Sequence, residues 1–174
     1  EHSRRVTLLA DIFSKYLKLN NRQISDLQIA AAFHDIGKIG IPDNILLKTT
    51  RLTDDEYQVI KTHPTIAANI FSVSDIYKDI YPIMYYHHER YDGNGYPTGM
   101  KGKQIPLLAR ILSICDSFDA IVSKRTYKEG ATIEFALSEI EKGAGTQFDP
   151  ELAPKFVKMV ENNIEYIEKI FTDF

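Results

Sequence analysis

Ile-Ser-Asp-Leu-Gln-Ile-Ala-Ala-Ala-Phe-His-Asp-Ile-Gly-Lys, residues 24–38, decides the reading of this chain. Ile24, Leu27, Ala30, Ala31 and Ile36 recur at the spacing of one helix face, so the stretch reads as a helix packed against a core. Its far end carries His34 and Asp35 between the apolar Phe33 and Ile36. A carboxylate carried into such surroundings costs several kcal/mol, on the order of a lost ion pair, unless it is hydrogen-bonded, paired or bound to metal. Asp35 therefore needs a partner.

Outward from this stretch the helical pattern continues. Val6, Leu9, Ile12, Phe13 and Tyr16 repeat it upstream, and Leu108, Ile111, Leu112, Cys115, Phe118 and Val122 repeat it downstream. Thr53 followed by Asp54, Asp55 and Glu56 reads as an N-cap with an acidic first turn. Asp149-Pro150-Glu151 opens a last helix that the pattern carries to about Ile170. No period-2 strand pair and no alternation of strands with helices is visible, so we expect an all-α fold, one helical domain over residues 1–174. The exception is Glu89 to Pro106, where Gly93, Gly95, Gly99, Gly102, Pro97 and Pro106 exclude a regular element of any length. Tyr91, Tyr96 and Ile105 give this long loop apolar anchors, so it reads as an ordered binding element.

Composition narrows the classes of function. A 174-residue chain with 44% apolar residues builds one sizeable core, and a formal charge of -3 with scattered basic residues offers no footprint for a nucleic acid polymer. The single cysteine, Cys115, lies in an apolar helical stretch, which argues against a disulfide framework and for a reducing, cytoplasmic setting. No run approaches the roughly 18 apolar residues that cross a bilayer, so this segment has no direct membrane contact of that kind. The chain enters helix-like sequence directly at Glu1, and we expect a piece of a longer protein with a regulatory domain upstream.

The chemistry lies in five histidines, His2, His34, His63, His87 and His88, joined by Asp35 and Asp116. Each histidine falls in a helical segment or at its end, and Asp116 follows the apolar Ile114 and Cys115. Imidazole nitrogens with carboxylate oxygens suit iron, manganese, zinc or nickel, while the lack of cysteine ligands argues against a structural zinc site. Adjacent residues point about 100° apart on a helix. His34-Asp35 and His87-His88 therefore cannot chelate as an i, i+4 pair does, but they can reach two neighbouring ions. His63 precedes Pro64, which biases it to the end of an element. Taken singly, His2 near the terminus also has a structural or disordered reading, and His63 that of a helix cap or packing residue. The two adjacent pairs are harder to explain by packing, because each would bury two polar groups at one spot.

The chain resembles the HD-GYP domains. The resemblance rests on His34-Asp35-Ile36-Gly37-Lys38, Gly40-Ile41-Pro42-Asp43, Ile45-Leu46, His63-Pro64, His87-His88-Glu89-Arg90 and Asp92-Gly93-Asn94-Gly95-Tyr96-Pro97. It continues through Ile105-Pro106, Ala109-Arg110-Ile111, Asp116, Asp119-Ala120, Arg125 and Gly145-Thr146-Gln147-Phe148-Asp149-Pro150, in order over nearly the whole chain. The segment from Asp92 to Pro97 separates this pattern from the wider HD phosphohydrolases. Ala67 departs from it, standing where the family commonly has glycine.

The resemblance implies a helical metallo-phosphodiesterase that hydrolyses cyclic di-GMP to linear pGpG and/or GMP through a metal-bridging hydroxide. It implies two or three divalent ions, iron first and manganese next. His2, His34, Asp35 and Asp116 would hold one, and Asp35 would bridge to a second held by His63, His87 and His88. Asp35 and Lys38 would act in catalysis, Lys38 also meeting the phosphate. Asp119, Arg125, Lys128 and Tyr96 would meet substrate, with Asp119, on the same helical face as Asp116, equally placed to support a ligand and Tyr96 equally placed to anchor the loop. A sensory or receiver domain upstream and an oligomeric assembly fit the same picture. Three rivals stand beside it. One is an HD-type nucleotide phosphohydrolase acting on a different phosphoester; one is a catalytically silent module that senses cyclic di-GMP or recruits a partner; the last is a purely structural bundle.

Overall fold

Side chains at helix starts set several boundaries. Asn20 accepts a hydrogen bond from the Gln23 amide while the Gln23 side chain accepts one from the Asn20 amide, and Thr53 and Glu56 repeat this reciprocal pair. Amides that helix geometry leaves without partners are satisfied in this way. The structure, a computed structural model, describes residues 1–125 and 132–172. Among the described residues ten α-helices follow one another: α1 (His2–Tyr16), α2 (Asn21–Phe33), α3 (Asp43–Leu46), α4 (Asp54–Ile60), α5 (His63–Phe71), α6 (Tyr81–Tyr86), α7 (Leu107–Arg125), α8 (Ile133–Lys142), α9 (Leu152–Glu161) and α10 (Ile164–Thr172). No strand is formed among those residues, and the expected all-α class is borne out.

Helix α7 runs through the middle. It packs against α1, α2, α6, α8 and α9, while α1 lies along α2 and α5 lies along α6. Phe13, Phe118 and Phe156 meet edge to face, with ring centroids 5.1 and 5.2 Å apart, and all three are fully buried. Burying one such ring stabilises the fold by about 1.5–3 kcal/mol. This core leaves the carboxylates of α7 on a face turned towards the starts and ends of the other helices.

Two expectations about helix length need correction. The helix predicted from Ile24 through Ile36 stops at Phe33, with His34 as its C-cap, and Ile36–Gly40 tightens into a short 3-10 turn. The predicted last helix breaks into α9 and α10 at Asn162-Asn163, where the Asn163 side chain donates to the Met159 carbonyl at 2.8 Å. Asparagine competes for backbone partners in this way and ends helices that the apolar period would continue.

Two glycines bring distant segments into contact. A Cβ on Gly37 would stand 1.9 Å from the His63 carbonyl oxygen, so only glycine lets the turn after Asp35 lie against the start of α5. A Cβ on Gly95 would stand 2.3 Å from the Arg90 nitrogen and 2.6 Å from the His88 oxygen, so the long loop folds back directly onto its own beginning. That loop is ordered, as the sequence suggested, and contains a single 3-10 turn at Gly102–Gln104. The Glu89 carboxylate accepts from the Thr98 amide at 2.7 Å and hydroxyl at 2.8 Å. Tyr91 and Asp92 donate backbone hydrogen bonds to Gln147 and Thr146, so the segment before α9 pins the loop from outside. Arg110 of α7 and the buried Asp149 form an ion pair beneath it.

Candidate metal centre

Helix ends carry four of the five histidines, and the fifth follows one. His2 opens α1, His34 caps α2, His63 opens α5, and His87 caps α6 with His88 behind it. A side chain at a helix end can turn inward without displacing the helix's own packing. These ends converge on Asp116, in the middle of α7, and on Asp35, at the start of the 3-10 turn.

Ligand atoms gather in three overlapping groups: His2, His34 and Asp116; His34, Asp35 and His87; and His63, His87 and His88. Within each group the atoms lie within 4.8 Å of one another. Asp35 spans the centre. Its Oδ2 lies 3.6 Å from His34 Nε2 and 3.8 Å from His2 Nε2, while its Oδ1 lies 3.5 Å from His63 Nε2. Asp116 Oδ1 stands 3.2 Å from His2 Nε2 and 3.6 Å from His34 Nε2. Lys38 donates to Asp35 Oδ2 at 2.6 Å from a half-exposed position.

The imidazoles are turned so that their Nε2 atoms face inward. His34, His63 and His87 each donate from Nδ1 to the carbonyl three residues earlier, of Ala31, Ile60 and Met84, at 2.8, 2.8 and 2.6 Å. His2 is oriented by a carboxylate instead, with its Nδ1 2.7 Å from Asp119 Oδ2. A hydrogen bond at one ring nitrogen fixes the tautomer and leaves the other nitrogen's lone pair available to a cation. The inward nitrogens crowd together: His2 and His34 Nε2 atoms are 3.3 Å apart, and those of His63 and His88 are 3.2 Å apart. His87 Nε2 is fully buried with no hydrogen-bond partner. An unsatisfied buried acceptor costs about 1–3 kcal/mol, and a cation among these nitrogens removes that cost. The donor set thus fits divalent metal.

Electrostatics divides the centre into two parts. Burial holds His87 well below the ordinary imidazole value, lowers His63, and brings His88 down to about 3. Hydrogen bonds that His2 donates to the Asp116 and Asp119 carboxylates raise it to about 9. For His34, burial opposes protonation but the Asp116 hydrogen bond and the two nearby carboxylates outweigh it. Burial would raise Asp35 and Asp116, yet their histidine and lysine partners keep both below the usual carboxylate range. A cavity of about 720 Å³ opens over the acidic part and is lined by His2, Arg5, Asp35, Lys38, His88, Asp116, Asp119, Ala120 and Ser123.

All seven residues expected as ligands come together here, with Lys38 at the cavity wall. Two of the expected substrate contacts have partners within the chain. Asp119 borders the cavity but is fully buried, with its carboxylate hydrogen-bonded by His2, Arg5 and Ser123. Tyr96 does not line the cavity; its ring stacks on His88 with centroids 4.8 Å apart, and it anchors the loop against that histidine. Lys128 and the side chain of Arg125 lie outside the described residues. Sequence reading missed Arg5, whose spacing of three residues from His2 puts both on one face of α1.

Histidines at helix ends and two carboxylates, one of them in the middle of α7, thus give this all-α frame a donor cluster around one cavity that could hold metal. The chain belongs to the HD domain family, whose profile matches residues 1–152. The HD-GYP pattern read in the sequence is borne out by its relatives. A protein of Thermotoga maritima named cyclic di-GMP phosphodiesterase is 42% identical over 160 residues, covering 91% of this chain and 44% of the relative. The cyclic di-GMP phosphodiesterase response regulator RpfG of Xanthomonas campestris pv. campestris is 43% identical over 148 residues, 84% of this chain and 39% of the relative. The chain therefore spans less than half the length of these curated relatives. Among solved structures, a cyclic GMP-AMP specific phosphodiesterase of V. cholerae superposes with a TM-score of 0.76 at 20% identity, covering 99% of this chain and 48% of that one.

Proposed function

We propose that this chain is a metal-dependent phosphodiesterase that hydrolyses cyclic di-GMP to linear pGpG and/or GMP. The observation that carries the reading is the position of Asp35, whose two oxygens face two separate sets of inward-turned imidazoles. His2, His34, Asp35 and Asp116 would hold one ion, and Asp35 with His63, His87 and His88 a second. Bound divalent metal would neutralise the oxygens of the phosphodiester and supply a nucleophile at neutral pH. A nitrogen and oxygen donor set of this kind suits iron, with manganese next.

The chain's own groups prepare the rest. The backbone carbonyls behind His34, His63 and His87 hold those rings in one orientation before any substrate arrives, so no reorganisation is needed during the reaction. Lys38 reaches into the cavity mouth from Asp35, where its ammonium would bind a non-bridging phosphate oxygen or protonate the departing sugar oxygen. The cavity's 720 Å³ suits a dinucleotide that enters part-way. Retention of every ligand and of Lys38 favours hydrolysis over silent sensing. The relatives' names support cyclic di-GMP as substrate. Cytoplasmic location fits the buried free thiol of Cys115, and an upstream sensory or receiver domain would supply control.

The test is product analysis with anaerobically purified, metal-analysed protein given cyclic di-GMP, with cyclic GMP-AMP in parallel. Metal-dependent release of pGpG or GMP is the expected result. A fully metal-loaded protein that releases neither product from cyclic di-GMP would overturn the reading.

A further inference from the structure

Arg5 is the least expected residue of the centre. Its guanidinium donates from Nε to Asp119 Oδ1 at 2.6 Å and from Nη2 to Asp119 Oδ2 at 3.1 Å, and Nη2 also donates to Ser123 Oγ at 2.8 Å. Both members of this ion pair are buried, Asp119 completely. On the other side the guanidinium carbon sits 5.5 Å from the Phe171 ring centroid, so α10 closes over the charge. Asp119 Oδ2 is at the same time the oxygen that holds His2 Nδ1.

We propose that Arg5 is a positioning residue that acts through Asp119 to hold His2 as a ligand, and so sets the metal affinity of the His2, His34 and Asp116 group independently of the His63, His87 and His88 group. The proposal deepens the phosphodiesterase reading and rests on it for the identity of the ligands. The physical reason lies in how the rings are held. His34 and His87 lean on carbonyls of the helices they cap, and His63 leans on the last carbonyl of α4, three residues back in each case, so these supports come with the fold. His2 stands in the first turn of α1, where a helix frays, with its side chain 36% exposed. Nothing in its own helix orients it. A buried carboxylate from α7 does, and that carboxylate is costly unless paired. Arg5, one turn along the same helix, supplies the pair in a rigid two-pronged geometry that lysine does not reproduce. The α1 helix thus carries a ligand and the cation that fixes the ligand's support.

Arg5→Gln should therefore act on one half of the centre. The whole chain, stripped by chelator, is titrated anaerobically with Mn(II), and bound and free metal are separated by electron paramagnetic resonance. Wild type is expected to take up two ions. In Arg5→Gln one event should keep its affinity while the other weakens about 10–100-fold, the range for lost support behind a metal ligand. Arg5→Lys should fall between. Circular dichroism reports whether each variant folds; should Arg5→Gln not fold, Asp119→Asn, which keeps the shape of the carboxylate, is read in the same titration. A variant that melts at lower temperature but binds both ions as wild type does, or one that weakens both events equally, would overturn the proposal. Failure of wild type to bind two ions would instead overturn the phosphodiesterase reading.

Discussion

The two halves of the centre are built from the same residue type and behave differently. His63 and His87 are buried and His88 lies half-buried at the cavity wall, and burial lowers all three below the ordinary imidazole value, so they are neutral at pH 7. His2 and His34 lie beside Asp116 and Asp35, whose hydrogen bonds and charge draw protons onto them. One half is a set of neutral donors; the other is a set of imidazoles paired with carboxylates. The difference teaches that an ion entering the first half competes with no proton at neutral pH, whereas an ion entering the second must displace one. Asp35 belongs to both.

Breaking the shared element should have the largest effect. Asp35→Ala is expected to abolish turnover and to leave neither half able to retain metal through desalting, as measured by elemental analysis and product assay. Next comes a change confined to the buried half. His87→Ala should reduce bound metal from two ions to one and lower turnover by on the order of a thousandfold, because a two-metal site does not work with one.

Proton competition sharpens the comparison without mutation. The folded-state value of His2 is raised above 6.5, to about 9. Its protonation therefore stabilises the metal-free fold fully below about 6.5, and this contribution is lost as pH rises through about 9. Metal binding follows the opposite direction. Between pH 7 and 9 the apparent Mn(II) affinity of the acidic half should rise by up to about tenfold per pH unit, while that of the buried half stays flat. Isothermal titration across this range measures both.

The smallest effect is expected at the loop. Gly95→Ala would place a methyl carbon 2.3 Å from the Arg90 nitrogen, a backbone atom that cannot move aside alone. It should destabilise the fold by about 1–3 kcal/mol. Thermal unfolding should show this, with turnover lowered through displacement of His88 rather than through lost chemistry.

These features were unequally visible in the sequence. The helical frame was legible because the apolar residues repeat on one face, from Val6 to Phe13 and from Leu108 to Val122. The candidate ligands were legible because paired polar residues such as His34-Asp35 sit among apolar neighbours. Contacts that depend on where separate helices cross were not legible. Arg5 and Asp119 lie 114 positions apart, and only the packing of α1 on α7 makes them a pair. The stacking of Tyr96 on His88 depends likewise on the loop folding back at Gly95. The break at Asn162-Asn163 was hidden because the apolar period runs on through it.

The most direct measurement is anomalous diffraction from crystals of the manganese-loaded chain. The account predicts two neighbouring peaks, one among His2, His34 and Asp116 and one among His63, His87 and His88, with a carboxylate oxygen of Asp35 directed at each. A single peak away from Asp35, or no peak at all in crystals whose protein is metal-loaded by elemental analysis, would contradict it.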